Sequence, residues 1–159
     1  MASAIDSDLG PQLLKLLNAI ERLPDVTIKN ALTMVGEDAK VLVQKRVQID
    51  GESTNSKMVT NSSKRIGVYS KGHYLAKQKK NLLTSHVDLT FNGDLWLSWQ
   101  TLNVTNEMVE IGFNKSNQGD KADYLEAYYG LIFELNKEEE EIIFETFESE
   151  IKNSFTNLS

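Results

Sequence analysis

The apolar period of this chain changes at His86, and that change limits the folds open to it. Upstream, Ile28, Ala31, Leu32, Val35, Ala39, Leu42 and Val43 recur every three or four residues, while Lys29, Glu37, Asp38, Lys40 and Lys45 take the other face. The spacing predicts an amphipathic helix from just after Pro24 to about Val47. Leu13, Leu14, Leu16, Leu17, Ile20 and Leu23 repeat in the same way between Pro11 and Pro24, a shorter helix that the second proline must end. From His86 the period is two: Val87, Leu89 and Phe91 point one way and His86, Asp88 and Thr90 the other, with Asn92-Gly93 as a tight-turn signal. Segments 95–104 and 108–113 extend this β region around a turn at Thr105-Asn106, giving about three antiparallel strands. Leu95, Leu97 and Trp99 share one face of the middle strand but Leu102 and Val104 fall on the opposite one, so a bulge or bend is expected between them.

Downstream, Asp120 is placed to cap a short helix through about Tyr129, where Gly130 ends it. Segment 131–135 reads as a brief apolar strand. Asn136 stands three residues before Glu139, a capping-box arrangement opening a last helix. Ile143, Phe147, Ile151 and Phe155 are each four apart, a stripe expected to pack on the sheet. Helices, a small antiparallel sheet, a short helix and a C-terminal helix define an α+β class rather than an alternating parallel design. With 159 residues, 40% of them hydrophobic, one domain is expected. Its parts are an N-terminal helical portion over 1–49, an aperiodic segment over 50–80, and a sheet with its C-terminal helix over 81–159. The middle segment is polar, turn-prone and rich in lysine, and reads as a long basic loop that becomes ordered against a partner.

Several kinds of chemistry are excluded by residue type and spacing. Cysteine is absent, which removes disulfides, thiolate metal sites and a cysteine nucleophile together. The first residues carry two acids and no apolar core, unlike a secretory signal, and no stretch approaches the ~20 apolar residues of a membrane span. A soluble protein made in a cytoplasm is expected. Gly67 to Gly72 has the glycine spacing of a phosphate-binding loop, but His73 and Tyr74 stand where lysine and a hydroxyl residue are required. His73 and His86 are the only imidazoles, and neither belongs to a close metal-binding pattern. His86 reads as a plain surface residue. No G-x-S-x-G elbow occurs, and consecutive glutamates at 138–141 point about 100 degrees apart on a helix and cannot converge on one ion. No catalytic residue, cofactor or metal is therefore assigned.

Charge supplies the interface candidates. The net charge is -6, yet Lys64, Arg65, Lys71, Lys77, Lys79 and Lys80 lie within 64–80 without an acid, and 134–152 carries eight glutamates, Glu138 and Glu141 among them, against Lys137 and Lys152. Such asymmetry steers like molecules into head-to-tail contact or presents a basic face to nucleic acid. In the nucleic-acid alternative those cations meet phosphates, with Tyr69 and Tyr74 as stacking platforms. Trp96 and Trp99, three apart in a strand, should face opposite sides of the sheet, leaving one as a possible anchor; Trp96 is the candidate.

The ordered set of features carries a resemblance. Gly36-Glu37-Asp38-Ala39 on a helix, a basic middle, Val87-Asp88-Leu89-Thr90-Phe91-Asn92-Gly93-Asp94-Leu95-Trp96-Leu97-Ser98, then Val109-Glu110-Ile111-Gly112-Phe113, Tyr124 to Gly130, and Ile132-Phe133-Glu134-Leu135-Asn136-Lys137-Glu138-Glu139 follow one another. Over most of 28–155 this resembles the tail-completion or virion morphogenesis proteins of tailed bacteriophages. Asn92 replaces the usual Thr or Ser before the glycine, and Leu131 or Ile132 stands where that family carries arginine. The resemblance implies a non-enzymatic virion component of the neck, made in a bacterial cytoplasm. It would form a homo-oligomeric ring, six-fold or twelve-fold, between portal or adaptor and tail proteins, with a lumen where DNA is contacted non-specifically.

Overall fold

The structure, a computed structural model, describes residues 20–156 together with Lys15 and Asn18. Most of the first expected helix, including Leu13, Leu14, Leu16 and Leu17, lies outside the described residues. The chain is α+β, as its changing period requires. Helix α1 (Asp25–Lys45) follows Pro24 directly and passes into one π-helical turn over Arg46–Asp50. That wider turn sends both Arg46 and Val47 inward, and Gly51 ends it at φ 70.

Segment 50–80 is not the long loop that its polarity suggests. Two short strands, β1 (Arg65–Ile66) and β2 (Tyr69–Ser70), pair antiparallel around Gly67, whose φ of 59 suits the tight turn. Helix α2 (Lys71–Lys79) follows at once, its first turn capped by Ser70 Oγ, which accepts from His73 N at 3.4 Å. The segment is thus ordered within the single chain.

The expected strand over 87–91 does not form. Asp88 Oδ1 accepts from Thr90 N at 3.0 Å, and Leu89 takes φ 52, so a local side-chain turn replaces ladder bonds. Asn92 and Gly93 make the next turn, with Gly93 at φ 85, and open helix α3 (Asp94–Ser98) where a strand was expected. Strand β3 (Trp99–Val104) then pairs antiparallel with β4 (Val109–Phe113). Their register shifts between Thr101 and Asn103, the bulge expected from the change of face at Leu102. The sheets have two strands each instead of about three in one.

Helix α4 (Ser116–Tyr129) begins four residues earlier than Asp120 and ends at Gly130, φ 86. The brief strand expected over 131–135 does not form; the segment bends at Phe133 and Glu134 and pairs with no strand. Its backbone is satisfied by side chains instead: Ile132 N and Phe133 N donate to Glu126 Oε1 at 2.8 and 2.9 Å, and Ile132 O and Glu134 O accept from Arg46 Nη2 at 3.1 and 2.7 Å. Helix α5 (Lys137–Thr156) opens on the expected capping box, Glu139 N donating to Asn136 Oδ1 and Asn136 N to Glu139 Oε2, at 2.9 and 2.8 Å.

Two apolar clusters hold these elements. Val43, Val47, Met58, Tyr69, Val87, Trp96, Trp99 and Ile132 form the larger, with Phe113 and Phe133 packed against it. The stripe of α5 goes elsewhere: Ile151, Phe147 and Phe155 pack on Leu23, Ile28, Ala31 and Leu32, so α5 lies along α1 rather than on the sheet. Helix α1 therefore serves both neighbours, α5 on one flank and the β3–β4 ribbon on another, where Gly36 passes so close that a Cβ would stand 2.5 Å from Val109 Cγ2. Among the described residues no helix is long and apolar enough to cross a membrane.

Candidate binding cleft

A concave cleft among the described residues is built in part by the segment that the sequence presents as a loop. Because α2 starts at Lys71, His73 and Lys77 lie one turn apart on it, and both turn toward β2. The His73 ring stacks on Tyr69, centroids 5.0 Å apart, and tilts against Phe91 at 5.6 Å. Lys77 goes fully inside, its Nζ 2.6 Å from Asp88 Oδ1 and 2.7 Å from Thr90 O, and 5.1 Å from the centre of the Tyr69 ring. Tyr69 OH donates toward His86 O at 2.8 Å and accepts from Asp88 N at 3.3 Å. Opposite stands α4, whose Tyr128 OH meets Thr60 Oγ1 at 2.7 Å and accepts from Asn61 N at 2.8 Å. Between the walls lies a cavity of about 430 Å³ lined by Tyr69, His73, Phe91, Tyr124 and Tyr128, with Lys121 at its rim.

The electrostatics of the cleft are those of a neutral floor under a positive rim. His73 keeps part of its surface exposed, and the partial burial of its ring lowers the imidazole below its ordinary value, with the Lys77 ammonium adding to the shift. Burial raises the Tyr69 phenol, helped by the Asp88 carboxylate beside it, and burial also raises Tyr129, with Tyr128 and Tyr124 contributing. Asp88 and Lys77 compensate each other. Lys121 enters no ion pair among the described residues, and Lys80 Nζ stands 4.2 Å over the Phe91 ring at the same rim. Such a surface suits a branched or flat apolar group whose surroundings are acidic. His73 makes no ring hydrogen bond to a hydroxyl or carboxylate, and among the described residues no three metal-ligating side chains come together.

The residues singled out by charge divide in this arrangement. Lys64, Arg65, Lys71 and Lys79 are exposed on the β1–β2 hairpin and α2, as is Lys80 at its end. Lys77 is not available to any partner; it is a core residue, because only Asp88 and Thr90 O inside the fold satisfy its ammonium. Trp96 is likewise buried, its Nε1 donating to Asp88 O at 3.1 Å, and Trp99 is buried too. The opposite-face argument fails because Trp96 belongs to α3 and only Trp99 to a strand. Tyr69 is a buried part of the cleft wall rather than an open stacking platform, and half-buried Tyr74 accepts from Gln78 Nε2 at 3.3 Å. Glu138 and Glu141 are exposed in the first turns of α5.

His86 is not a plain surface residue. Its Nε2 donates to Gln48 O at 2.7 Å, because a carbonyl can only accept, and its Nδ1 lies 3.0 Å from Ser85 Oγ.

Asp88, Phe91, Lys121, Tyr124 and Tyr128 complete the cleft, and none of them was a candidate site residue from the sequence. Asp88, Phe91, Tyr124 and Tyr128 stood only within the segments that carry the resemblance. No family model matches the chain, and neither a curated protein nor a solved structure was found to match it.

Proposed function

We propose that this chain is a non-enzymatic structural protein of a tailed-phage virion, a tail-completion component of the neck. In this reading copies of it form a ring that joins the portal or adaptor proteins to the tail and leaves a passage for DNA. The order of motifs over 28–155 supports it. So does the placement of the most family-like element: Asn92 and Gly93 turn the chain, and Leu95, Trp96 and Ser98 behind them are buried. That element positions a core and presents no reactive group.

The single observation that carries the reading is unpaired, unlike charge on separate elements. Lys64, Arg65, Lys71 and Lys79 on the hairpin and α2, and Glu138, Glu141 and Glu145 on α5, enter no ion pair among the described residues. A ring requires a heterologous contact, in which two different surfaces of one chain meet on neighbouring copies. The nucleic-acid reading is weaker for having lost Lys77 and an open Tyr69.

The test is to purify particles from an expressing cell, identify this polypeptide in them by mass spectrometry, and locate it with a labelled antibody. Label confined to the neck is expected. Absence from particles, or label on free nucleic acid, overturns the reading.

A further inference from the structure

We infer that the aromatic cleft is the socket for a neighbouring copy of this chain, and that the acidic face of α5 is what enters it. The inference rests on the ring reading above and names the surfaces through which the ring closes.

The socket is a cavity of about 430 Å³ walled by Tyr69, His73 and Phe91 on one side and Tyr124 and Tyr128 on the other. Its floor carries no free charge, since Asp88 is taken by Lys77. Its rim is cationic: Lys71 adjoins Ser70 at the wall, Lys80 hangs over Phe91, and Lys121 lines the opposite side. An occupant must therefore bring an apolar side chain flanked by carboxylates on a rigid support.

Helix α5 has that pattern on its outer side. Glu138, Glu141, Ile142 and Glu145 stand at i, i+3, i+4 and i+7, one stripe of the helix, and all are exposed. Ile142 keeps 45% of its surface open, and the inward side of α5 is already spent on α1 through Phe147, Ile151 and Phe155. Three unpaired carboxylates around one exposed branched residue complement three cations around an aromatic cavity. Socket and stripe lie on different elements of the same chain, so a contact made in one direction only is heterologous, the kind that closes into a ring when its rotation divides a full turn.

The chain contains no cysteine, which makes the contact directly testable. Tyr124→Cys and Ile142→Cys are both surface changes, at positions 70% and 45% exposed. In purified particles, mild oxidation of the doubly substituted chain is expected to give a ladder of covalent oligomers that neither single variant gives. Lys71→Glu with Lys121→Glu, and separately Glu141→Lys with Glu145→Lys, should each weaken self-association by roughly tenfold, and mixing the two variants should recover most of it. A chain present in the neck that gives no ladder overturns the socket contact and leaves the neck reading standing. A chain missing from particles overturns both. Tight binding of a single-stranded oligonucleotide that is lost in the Lys71→Glu, Lys121→Glu variant makes nucleic acid the occupant and overturns the inference.

Discussion

Lys77 Nζ and Asp88 Oδ1 are 2.6 Å apart in the interior, an ion pair that fastens α2 to the turn before α3. The lysine is wholly enclosed, and Asp88 also holds Thr90 N. Removing one partner strands the other charge without water, so Lys77→Ala should cost about 3–5 kcal/mol and Asp88→Ala a similar amount. Urea unfolding measures this directly. A cost under ~1 kcal/mol, the worth of an exposed pair, would mean that the lysine is solvated.

A second buried cation ties the chain's two halves. Arg46 donates from Nε to Glu139 Oε1 at 2.8 Å, and from its two terminal nitrogens to the carbonyls of Glu52, Ile132 and Glu134 at 3.4, 3.1 and 2.7 Å. Only a planar fork reaches acceptors spread over three segments. Arg46→Lys keeps the charge yet leaves buried carbonyls unmet, and is expected to lose about 2–3 kcal/mol. If thermal unfolding of that variant matches the parent, charge alone matters and the fork does not.

What the sequence made legible is what apolar spacing and local caps determine. Helix α1, the β3–β4 ribbon with its bulge at Leu102, and the Asn136–Glu139 capping box were all readable because each depends on residues close in sequence. Helix α2 was hidden because its buried position carries Lys77, an ammonium that counts as surface in any hydrophobic pattern. The alternation over 87–91 misled because Asp88 satisfies the backbone of Thr90 and diverts the chain. The stripe of α5 was expected on the sheet and packs on α1 instead, because apolar spacing shows that a helix face is buried but not which element covers it. The cleft draws on residues from Thr60 to Tyr129, and no local pattern encodes such a gathering.

Two glycines should respond in opposite directions. Gly51 holds φ 70, and a Cβ there would stand 2.6 Å from His86 Cβ, so Gly51→Ala meets both backbone strain and a clash, costing about 2 kcal/mol or more. Gly72 lies in the first turn of α2 with nothing within 4 Å of an added Cβ. Gly72→Ala should gain roughly 0.5–1 kcal/mol by restricting the unfolded chain and favouring the helix. Paired denaturation curves decide it; a destabilised Gly72→Ala would mean that α2 does not form as described.

Acid should weaken the cleft through His73. Burial and the Lys77 ammonium hold its imidazole below the ordinary value of 6.5, so near that pH the unfolded chain binds more protons than the folded one. Stability then falls as pH drops through the unfolded value of 6.5 toward the lower folded one, and levels off only below the latter. Burial and Asp88 act in the opposite pH range on Tyr69, whose neutral form is favoured, so stability contributed there is lost above its unfolded value of 10.0. Histidine NMR titration should find His73 titrating below 6.5, and His73→Phe should flatten the slope of stability against pH just below that value. The same protonation places a cation against the Tyr69 ring and beside Lys77, which adds to the positive charge of the cleft. A His73 that titrates at or above 6.5 would mean that its ring does not pack against Tyr69 and Phe91 as a wall of the cavity.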